Sequence, residues 1–310
     1  MWIVQPPSGH RVGAGLQHLP LGHLEVVDPG ARRIAASDDV ELSAHAAHSI
    51  APESRRVRLG DVEVSRIGLG TNRLRDTDEN VAFIRAAVDR GVQMIDTAHL
   101  YTGGESEKAI GRALSPMPSG VVIATKGGYG GAGRGRPEAL RREIEQSLAS
   151  LRVDRIALYY LHRVDSETPI EESLGAIKAY VDKGAIERVG ISKVDIPLIE
   201  RARTVVPIAA VQNEYNVAER TSDDVVDYCA REGIAFVPYY PLGAKPGRAV
   251  REPAKRRQAT PRQVMLAWLL RRSPAILPIP GTLSLAHLEE NLGALSLELS
   301  DTEFSDIAGR

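Results

Sequence analysis

Four side chains that can hold or move protons stand at or just after the ends of short apolar segments. Asp96 ends VQMID and is followed by Tyr101 in DTAHLY, Lys126 ends VVIATK, and His162 ends RIALYYLH. A phenol titrates at about pH 10, and a nearby lysine cation lowers the pKa of the phenol by favouring its charged form. A carboxylate keeps that lysine charged, and a neutral imidazole can hydrogen-bond a substrate oxygen.

The chemistry these four groups suit is the reduction of a carbonyl group. A proton reaches the oxygen while a hydride reaches the carbon, and the same groups serve the reverse oxidation. No side chain supplies a hydride, so a redox cofactor is required. Each residue alone has a structural explanation, such as helix capping for the aspartate. Their joint occurrence at successive segment ends favours one catalytic site with Tyr101 as the proton donor.

The elements that must position these residues alternate between apolar strands and amphipathic helices from about Arg56 onward. Such alternation indicates a parallel sheet covered by helices. Eight units over residues 56–310 match the usual size of a (β/α)8 TIM barrel, whose catalytic groups stand at the carboxyl ends of its strands. The predicted strands are SRIGLGT, VQMID, VVIATK, RIALYYLH, IERVGIS, IAAVQNEYN, IAFVPYY and AILPIP.

A competing architecture is the doubly wound open sheet, which typically opens with a glycine-rich phosphate loop. Gly128, Gly130 and Gly133 do spell GxGxxG between a strand and a helix. The acidic residue expected at the end of the next strand is absent, because that strand ends in His162. The sequence therefore predicts no Rossmann domain, and we expect the glycine-rich stretch to be a mobile loop over the barrel mouth.

Bulk properties narrow the class of protein. The net charge of −1 gives no global attraction to nucleic acid or to an anionic membrane. Cys229 is the only cysteine, which excludes an intramolecular disulfide and a thiolate metal cluster, and no metal site is expected. No apolar run is long enough to span a membrane and the N-terminus does not resemble a secretory signal, so we expect a cytoplasmic protein.

Residues 1–55 differ in composition from the remainder. They are rich in Pro, Gly, Ala, His and Arg and lack a sustained helical or strand period. We interpret them as a poorly structured N-terminal extension, and the spacing of their histidines matches no metal motif. A translation start near Val57 is a second interpretation. The barrel is expected to occupy residues 56–310.

Several separated motifs resemble the aldo-keto reductases. DTAHLY, ATK and LYYLH carry the likeness, and GLGTNRL, GISK, QNEYN, YYPLG and LPIPGT…HLEEN occur in the order used by that family. The resemblance covers roughly residues 56–310, and LHRVD places the chain nearer one bacterial branch. It implies a (β/α)8 barrel that binds NADP(H) without a Rossmann fold. It also implies Tyr101 as proton donor, Asp96 and Lys126 as its tuning pair, and His162 as the group that orients the carbonyl.

The same resemblance implies a set of cofactor contacts. Ser192 and Gln212 would hold the nicotinamide amide, and Tyr239 would stack on the ring. The other implied contacts, along the pyrophosphate and adenosine, are Thr71, Leu242, Gly243, Gly281, Thr282, His287, Glu290 and Asn291.

The chain departs from the family pattern at two places. Lys193 follows the serine of the fifth strand, where the family often has Asn. Gly281 and His287 replace the Lys and Arg that commonly grip the 2'-phosphate, and Leu283 stands where related sequences often carry Arg. We expect NADPH as the cofactor, with NADH or dual use as the alternative. We interpret the basic segment AKPGRAVREPAKRRQA after the seventh strand as a flexible, solvated loop, with a cofactor clamp as the alternative. The cations of this segment that could substitute for the missing ones are Lys245, Arg248 and Lys255.

Three functions are compatible with these features to different degrees. The first is an NAD(P)H-dependent reductase of small aldehydes or ketones, acting as a monomer or an oligomer. The second is a slow nicotinamide-nucleotide-binding regulatory subunit, which the complete set of four catalytic residues disfavours. The third is a hydrolase or lyase, which would leave Gln212, Tyr239 and PIPGT…EEN without a purpose.

Overall fold

A computed structural model of the protein describes residues 55–309. Nearly all of the predicted N-terminal extension therefore lies outside the described residues. A short antiparallel hairpin opens the described part and pairs β1 (Arg56–Leu59) with β2 (Val62–Ser65). The sequence analysis did not predict this hairpin, although Gly60 and Asp61 between two alternating apolar runs are a turn signal.

Seven parallel strands form one sheet in which each strand pairs with its neighbour in chain order. Sequential pairing of parallel strands through helical connections is the arrangement that the alternating sequence predicts. The strands are β3 (Leu69–Gly70), β4 (Met94–Asp96), β5 (Val122–Gly127), β6 (Leu158–Leu161), β7 (Val189–Ser192), β8 (Ile208–Gln212) and β9 (Ala235–Phe236).

The predicted eighth strand, AILPIP at residues 275–280, does not form a strand. It makes isolated parallel bridges instead, from Ile276 to Phe236 and from Gly281 to Gly70, at the two edges of the sheet. Pro278 and Pro280 have no N–H to donate, so this segment cannot support a full ladder of hydrogen bonds. The seven-stranded sheet with these bridges fits a (β/α)8 barrel.

Ten α-helices occur within residues 55–309, and eight of them match predicted helical segments. None of the helices in this range is long and apolar enough to cross a membrane. The helices are α1 (Asp78–Asp89), α2 (Glu105–Leu114), α3 (Pro137–Leu151), α4 (Ile170–Asp182), α5 (Ile196–Arg203), α6 (Asp223–Glu232), α7 (Arg248–Arg256), α8 (Pro261–Arg272), α9 (Leu285–Gly293) and α10 (Asp301–Ile307).

Helix α7 lies where the sequence analysis predicted a flexible, solvated basic loop, and that prediction was wrong. Val250, Pro253 and Ala254 are buried at helical spacing, so one face of the segment packs while its arginines stay outside. Arg256 and Arg257 also form ion pairs with Glu303 of α10. Apolar burial on one face and charge pairing on the other hold the segment as a helix.

Successive side chains of each strand point to opposite faces of the sheet, so the sheet separates two apolar clusters. Along β4, Met94 belongs to the cluster enclosed by the sheet, and Ile95 belongs to the cluster between sheet and helices. Val57, Leu59 and Val64 of the hairpin join the enclosed cluster. The hairpin therefore packs against the interior of the sheet, whose polar end remains available for a site.

Gly111 of α2 offers a test of the close helix packing. A Cβ at this position would lie 2.4 Å from the carbonyl oxygen of Ser150 in α3. We expect Gly111→Ala to destabilise the fold by about 1–3 kcal/mol, because two backbones must separate. Gly175 of α4 is a matched control, since an added Cβ meets nothing within 4 Å there. Gly175→Ala should stabilise by about 0.5–1 kcal/mol in denaturant unfolding; equal effects of the two substitutions would contradict the packing.

Candidate active site

A cavity of about 960 Å³ opens at the carboxyl ends of the parallel strands. Asp96 ends β4, Gln212 ends β8 and His162 directly follows β6, and all three line the cavity together with Tyr101. Carboxyl ends of parallel strands point the same way, so residues far apart in sequence converge there. Lys126, the fourth predicted catalytic residue, is fully buried and reaches the same site from β5.

The Lys126 ammonium joins the predicted catalytic residues through hydrogen bonds. Its Nζ donates to Asp96 Oδ1 at 2.5 Å, to the carbonyl oxygen of Thr97 at 2.6 Å and to the phenolic oxygen of Tyr101 at 3.3 Å. All three hydrogens of the ammonium can therefore be used, which a charge with no solvent contact requires. The arrangement fixes the position of the cation relative to the phenol.

Strand alternation explains why Lys126 points into the sheet's interior. Its neighbour Thr125 points the opposite way and donates to Glu107 of α2 at 2.5 Å. Tyr160 of β6 stands beside Lys126 in the register, and its ring centroid lies 6.0 Å from the ammonium. Gly190 of β7 makes room for that ring, because a Cβ there would lie 2.3 Å from it. A glycine two strands away thus supports the placement of the lysine.

A tight turn after β4 carries Tyr101 over the cavity. Tyr101 begins a 3-10 turn, and the three following residues, Thr102, Gly103 and Gly104, all have positive φ angles. Two of the three are glycines, which adopt this conformation without steric cost. The Thr102 hydroxyl donates to the carbonyl oxygen of Leu74 at 2.6 Å and ties the turn to the neighbouring loop.

Burial raises the pKa of Tyr101 above its ordinary value, although Lys126 acts in the opposite direction. The sequence analysis considered only the lowering by the lysine, and in the structure burial outweighs it. Burial also opposes the charge of Lys126, but Asp96 and Tyr101 hold the pKa of this lysine above its ordinary value. At neutral pH the site therefore contains a protonated phenol beside an ammonium, which suits a proton donor.

His162 is held as a neutral imidazole. Burial, followed by the positive charges of Lys126 and Lys193, lowers its pKa to about 2. Its ring lies edge-on to the Tyr101 ring at 6.0 Å between centroids. Nδ1 is buried without a hydrogen-bond partner among the described residues. An uncharged imidazole beside the phenol can hydrogen-bond a substrate oxygen without competing for its proton.

Gln212 takes part in the catalytic network itself. Its Nε2 donates to Asp96 Oδ2 at 2.8 Å, while Lys126 occupies Oδ1. Ser192 donates from its hydroxyl to the carbonyl oxygen of Gln212 at 2.7 Å. Both residues line the cavity where a nicotinamide amide was predicted to bind. Gln212 thus hydrogen-bonds the carboxylate that positions Lys126, and Ser192 hydrogen-bonds Gln212.

The predicted cofactor contacts line the main cavity, apart from Glu290. This residue lines a neighbouring cavity of about 440 Å³ and accepts a hydrogen bond from Thr260 at 2.6 Å. The predicted cofactor contacts that line the main cavity are Thr71, Ser192, Gln212, Tyr239, Leu242, Gly243, Gly281, Thr282, His287 and Asn291. Lining residues not predicted as site residues include Asn72, Arg73, Leu100, Tyr129, Lys193, Tyr240, Arg262, Leu283 and Ser284.

The charges of the cavity wall are mostly positive. Arg73, Lys193 and Arg262 line it, and no ion pair of theirs is present among residues 55–309. Of the described residues, Asp96 is the only carboxylate in the lining, and it is already paired with Lys126. Sequence offered no sign of Arg262, because only the packing of α8 against α9 brings it to the cavity.

The glycine-rich stretch after β5 carries an aromatic side chain into the site. The Tyr129 ring is tilted by 41° to the His162 ring, with 4.6 Å between the ring centroids, and Tyr129 lines the cavity. Asp165 accepts hydrogen bonds from the backbone N–H groups of Gly133 and Gly135, at 3.1 and 2.8 Å. The glycine-rich stretch is therefore a loop whose C-terminal end is held by Asp165.

Known proteins share this architecture. The aldo/keto reductase family model matches residues 66–247 and 245–309. An uncharacterized oxidoreductase of Schizosaccharomyces pombe is 36% identical over 276 residues, covering 83% of this chain and 90% of that protein. Pyridoxine 4-dehydrogenase of Escherichia coli is 35% identical over 283 residues, covering 83% of this chain and 98% of that protein.

Solved structures show the same likeness. A thermostable aldo-keto reductase in complex with the inhibitor epalrestat has a TM-score of 0.76 at 32% identity, covering 82% of this chain and 98% of that one. An aldo/keto reductase from Klebsiella pneumoniae, in complex with NADP and acetate, has a TM-score of 0.73 at 29% identity, covering 82% and 94%.

Fold and site define the class: a parallel α/β protein with a polar cavity at the carboxyl ends of its strands. Within that class, the chain belongs to the aldo/keto reductase family, an oxidoreductase family. The sequence analysis named this family, and that identification is confirmed. The assignment to a bacterial branch stays a prediction.

The charge state of His162 can be measured directly. Because its pKa is lowered to about 2, the imidazole should remain neutral from pH 5 to pH 9 in the free protein. Nitrogen NMR of the histidine side chains, assigned by comparison with a His162→Gln variant, would follow it. A protonation midpoint near the ordinary value of about 6.5 would contradict the burial seen here.

Proposed function

We propose that this protein is an NADPH-dependent reductase of aldehydes or ketones, with Tyr101 as the proton donor. The observation that carries the proposal is the 3.3 Å contact between the Tyr101 phenol and the buried Lys126 ammonium. A phenol that loses its proton here becomes a phenolate beside a fixed cation. The charge that develops during proton transfer is therefore stabilised where it forms.

The residues present fit a nicotinamide dinucleotide. Within residues 55–309 the cavity is lined by three cations and one paired carboxylate, which suits a ligand with several phosphate charges. Tyr239 offers an aromatic face, and Gly281 brings backbone without a side chain to the wall. The Klebsiella pneumoniae enzyme was solved with NADP, which agrees with this fit. When bound, the cofactor would supply the hydride that no side chain can provide.

The protein's own residues would then perform the proton chemistry. His162, neutral at physiological pH, would hydrogen-bond the carbonyl oxygen and hold it near the Tyr101 phenol. Tyr101 would donate its proton to that oxygen, while Lys126 stabilises the phenolate. Asp96 acts through Lys126 and is a positioning residue, with Gln212 fixing its second oxygen.

Removing the phenolic hydroxyl should separate chemistry from binding. We expect Tyr101→Phe to lower kcat for aldehyde reduction by about 10²–10⁴-fold, the usual contribution of a positioned acid, while NADPH affinity changes little. Steady-state NADPH oxidation and fluorescence titration of the cofactor would give the two quantities. Tyr180→Phe is a matched control, because Tyr180 contacts Glu145 away from the cavity.

Retention of activity by Tyr101→Phe would refute the assignment of the proton donor. Tight NADPH binding by the wild-type protein, with no reduction of any aldehyde or ketone in a broad panel, would instead support the regulatory-subunit alternative. The two results are distinguishable, because only the second leaves the wild-type protein inactive.

Selectivity for NADPH over NADH depends on a cation near the adenosine end of the cavity. Three cations after the seventh strand were predicted to substitute for the missing phosphate ligands. Of these three, only Lys245 lines one of the two cavities. Arg248 and Lys255 line neither. Arg262, at the start of α8, lines both, in company with His287 and Asn291 in the larger one. We therefore assign recognition of the 2'-phosphate to Arg262, since a guanidinium matches phosphate geometry.

Loss of Arg262 should weaken NADPH binding selectively. Charge-assisted hydrogen bonds contribute about 1.5–3 kcal/mol, so Arg262→Ala should raise the Kd of NADPH about 10- to 100-fold. The Kd of NADH, which lacks the 2'-phosphate, should change little. Calorimetric titration of both cofactors would measure the difference, with Lys255→Ala as the control. An equal loss for both cofactors, or a selective loss in Lys255→Ala, would overturn the assignment.

A further inference from the structure

We propose that this site prefers carbonyl compounds that carry an anionic group, and that Lys193 binds that group. The inference deepens the proposed function and rests on it. The shared chemistry is a negative charge, as in a carboxylate or a phosphate, separated from the reacting carbonyl by a short apolar spacer. Lys193 would act as a specificity-determining residue at the mouth of the cavity.

The Lys193 ammonium lies over two aromatic rings of the cavity. Its Nζ lies 5.0 Å from the ring centroid of Tyr129 and 5.7 Å from that of Tyr239. Both rings line the cavity, as does Lys193 itself. The side chain is exposed, so the cation stands between two aromatic faces and open to an entering molecule. Within residues 55–309 this ammonium has no carboxylate partner, which leaves its charge available.

The backbone at Lys193 is strained. Its φ of 60° lies in the left-handed region, which a side chain such as lysine rarely adopts. Hydrogen bonds on both sides enforce it, from Lys193 N–H to the carbonyl oxygen of Gln212 at 3.0 Å and from Val194 N–H to Asn213 Oδ1 at 3.1 Å. Asparagine or glycine would fit with less strain. A lysine at a strained position on a cavity wall indicates a use for its charge.

Tyr129 links Lys193 to the residue that would orient the carbonyl. The Tyr129 ring, over which the ammonium lies, is tilted against the His162 ring, with 4.6 Å between the ring centroids. The charge of Lys193 reaches the imidazole, since it contributes to lowering the pKa of His162. A molecule whose carbonyl oxygen contacts His162 can therefore place a group one aromatic ring away beside Lys193. Tyr129 and Tyr239 would contact the apolar part between them.

The other charges around this position do not oppose an anion. Among residues 55–309, Asp96 is the one carboxylate of the cavity lining, and it is paired with Lys126. The other charged residues that line the cavity in this range besides Lys193 are the cations Arg73 and Arg262. An anionic substrate thus meets an excess of positive charge, whereas a cationic one would be repelled.

The experiment compares matched aldehydes that differ in charge. We would measure kcat and KM at saturating NADPH for 4-carboxybenzaldehyde, 4-formylphenyl phosphate and the neutral methyl 4-formylbenzoate. The wild-type protein should favour at least one anionic aldehyde over the ester by roughly fivefold or more in kcat/KM, and added salt should reduce that preference. The larger of the two preferences identifies carboxylate or phosphate as the group that is bound.

Lys193→Met keeps most of the length of the side chain and removes its charge. It should abolish the preference through KM, with the ester unaffected. Lys183→Met is the matched control, because Lys183 also lies over a tyrosine ring, at 5.2 Å from that of Tyr180, but outside both cavities. This control should retain the wild-type preference.

Other outcomes would overturn the inference. These are the absence of an anion preference in the wild-type protein, an equal loss for the ester in Lys193→Met, or a rise in the Kd of NADPH that accounts for the whole effect. If the wild-type protein reduces no aldehyde, the proposed function fails first. Calorimetric binding of terephthalate against dimethyl terephthalate, with NADPH present, would then still show whether Lys193 binds an anion.

Discussion

An ammonium with no contact to water must be paired, and Lys126 is such a group. Leaving the charge of Lys126 without Asp96 would cost about 3–5 kcal/mol, because a buried charge that loses its partner cannot be resolvated. The protein meets this constraint with a carboxylate, a backbone carbonyl and a phenol around one nitrogen. Much of the surrounding structure is arranged to hold these groups, including the room that Gly190 leaves for the Tyr160 ring.

The buried cation also sets the charge state of its neighbours. It favours the phenolate of Tyr101, yet burial keeps that phenol protonated until a reaction draws the proton away. It disfavours a charged imidazole at His162, which burial disfavours further. Burial and the cation together therefore give two different results: Tyr101 keeps a proton that it can donate, and His162 stays neutral and can donate an N–H hydrogen bond to a substrate oxygen. Such divergence between neighbouring titratable groups is a feature of acid–base sites.

Local pattern was sufficient to predict most of this site. Asp96, Lys126 and His162 could be placed together from sequence because strand ends converge by topology, whatever the details of packing. The eighth strand could not be predicted correctly from apolarity alone, since two prolines remove the donors that a ladder needs. Helix α7 was missed because its composition is basic, and only the burial of three small apolar residues reveals its packed face. Arg262 could not be predicted as a site residue, because its position depends on the packing of α8 against α9.

The residues that could be predicted from sequence and those that could not differ in where they stand in the fold. Asp96 and Lys126 are buried on strands and His162 directly follows one, so alternation and hydrogen-bond ladders fix their direction. The tight turn after β4 then holds Tyr101 over them. The residues proposed to choose cofactor and substrate, Arg262 and Lys193, stand on a helix end and a loop and are exposed. Charge recognition at an exposed position tolerates changes of residue that a buried ion pair does not. Selectivity can therefore diverge on this fold by single substitutions at the rim, while the chemistry at Tyr101 remains fixed by the packing beneath it.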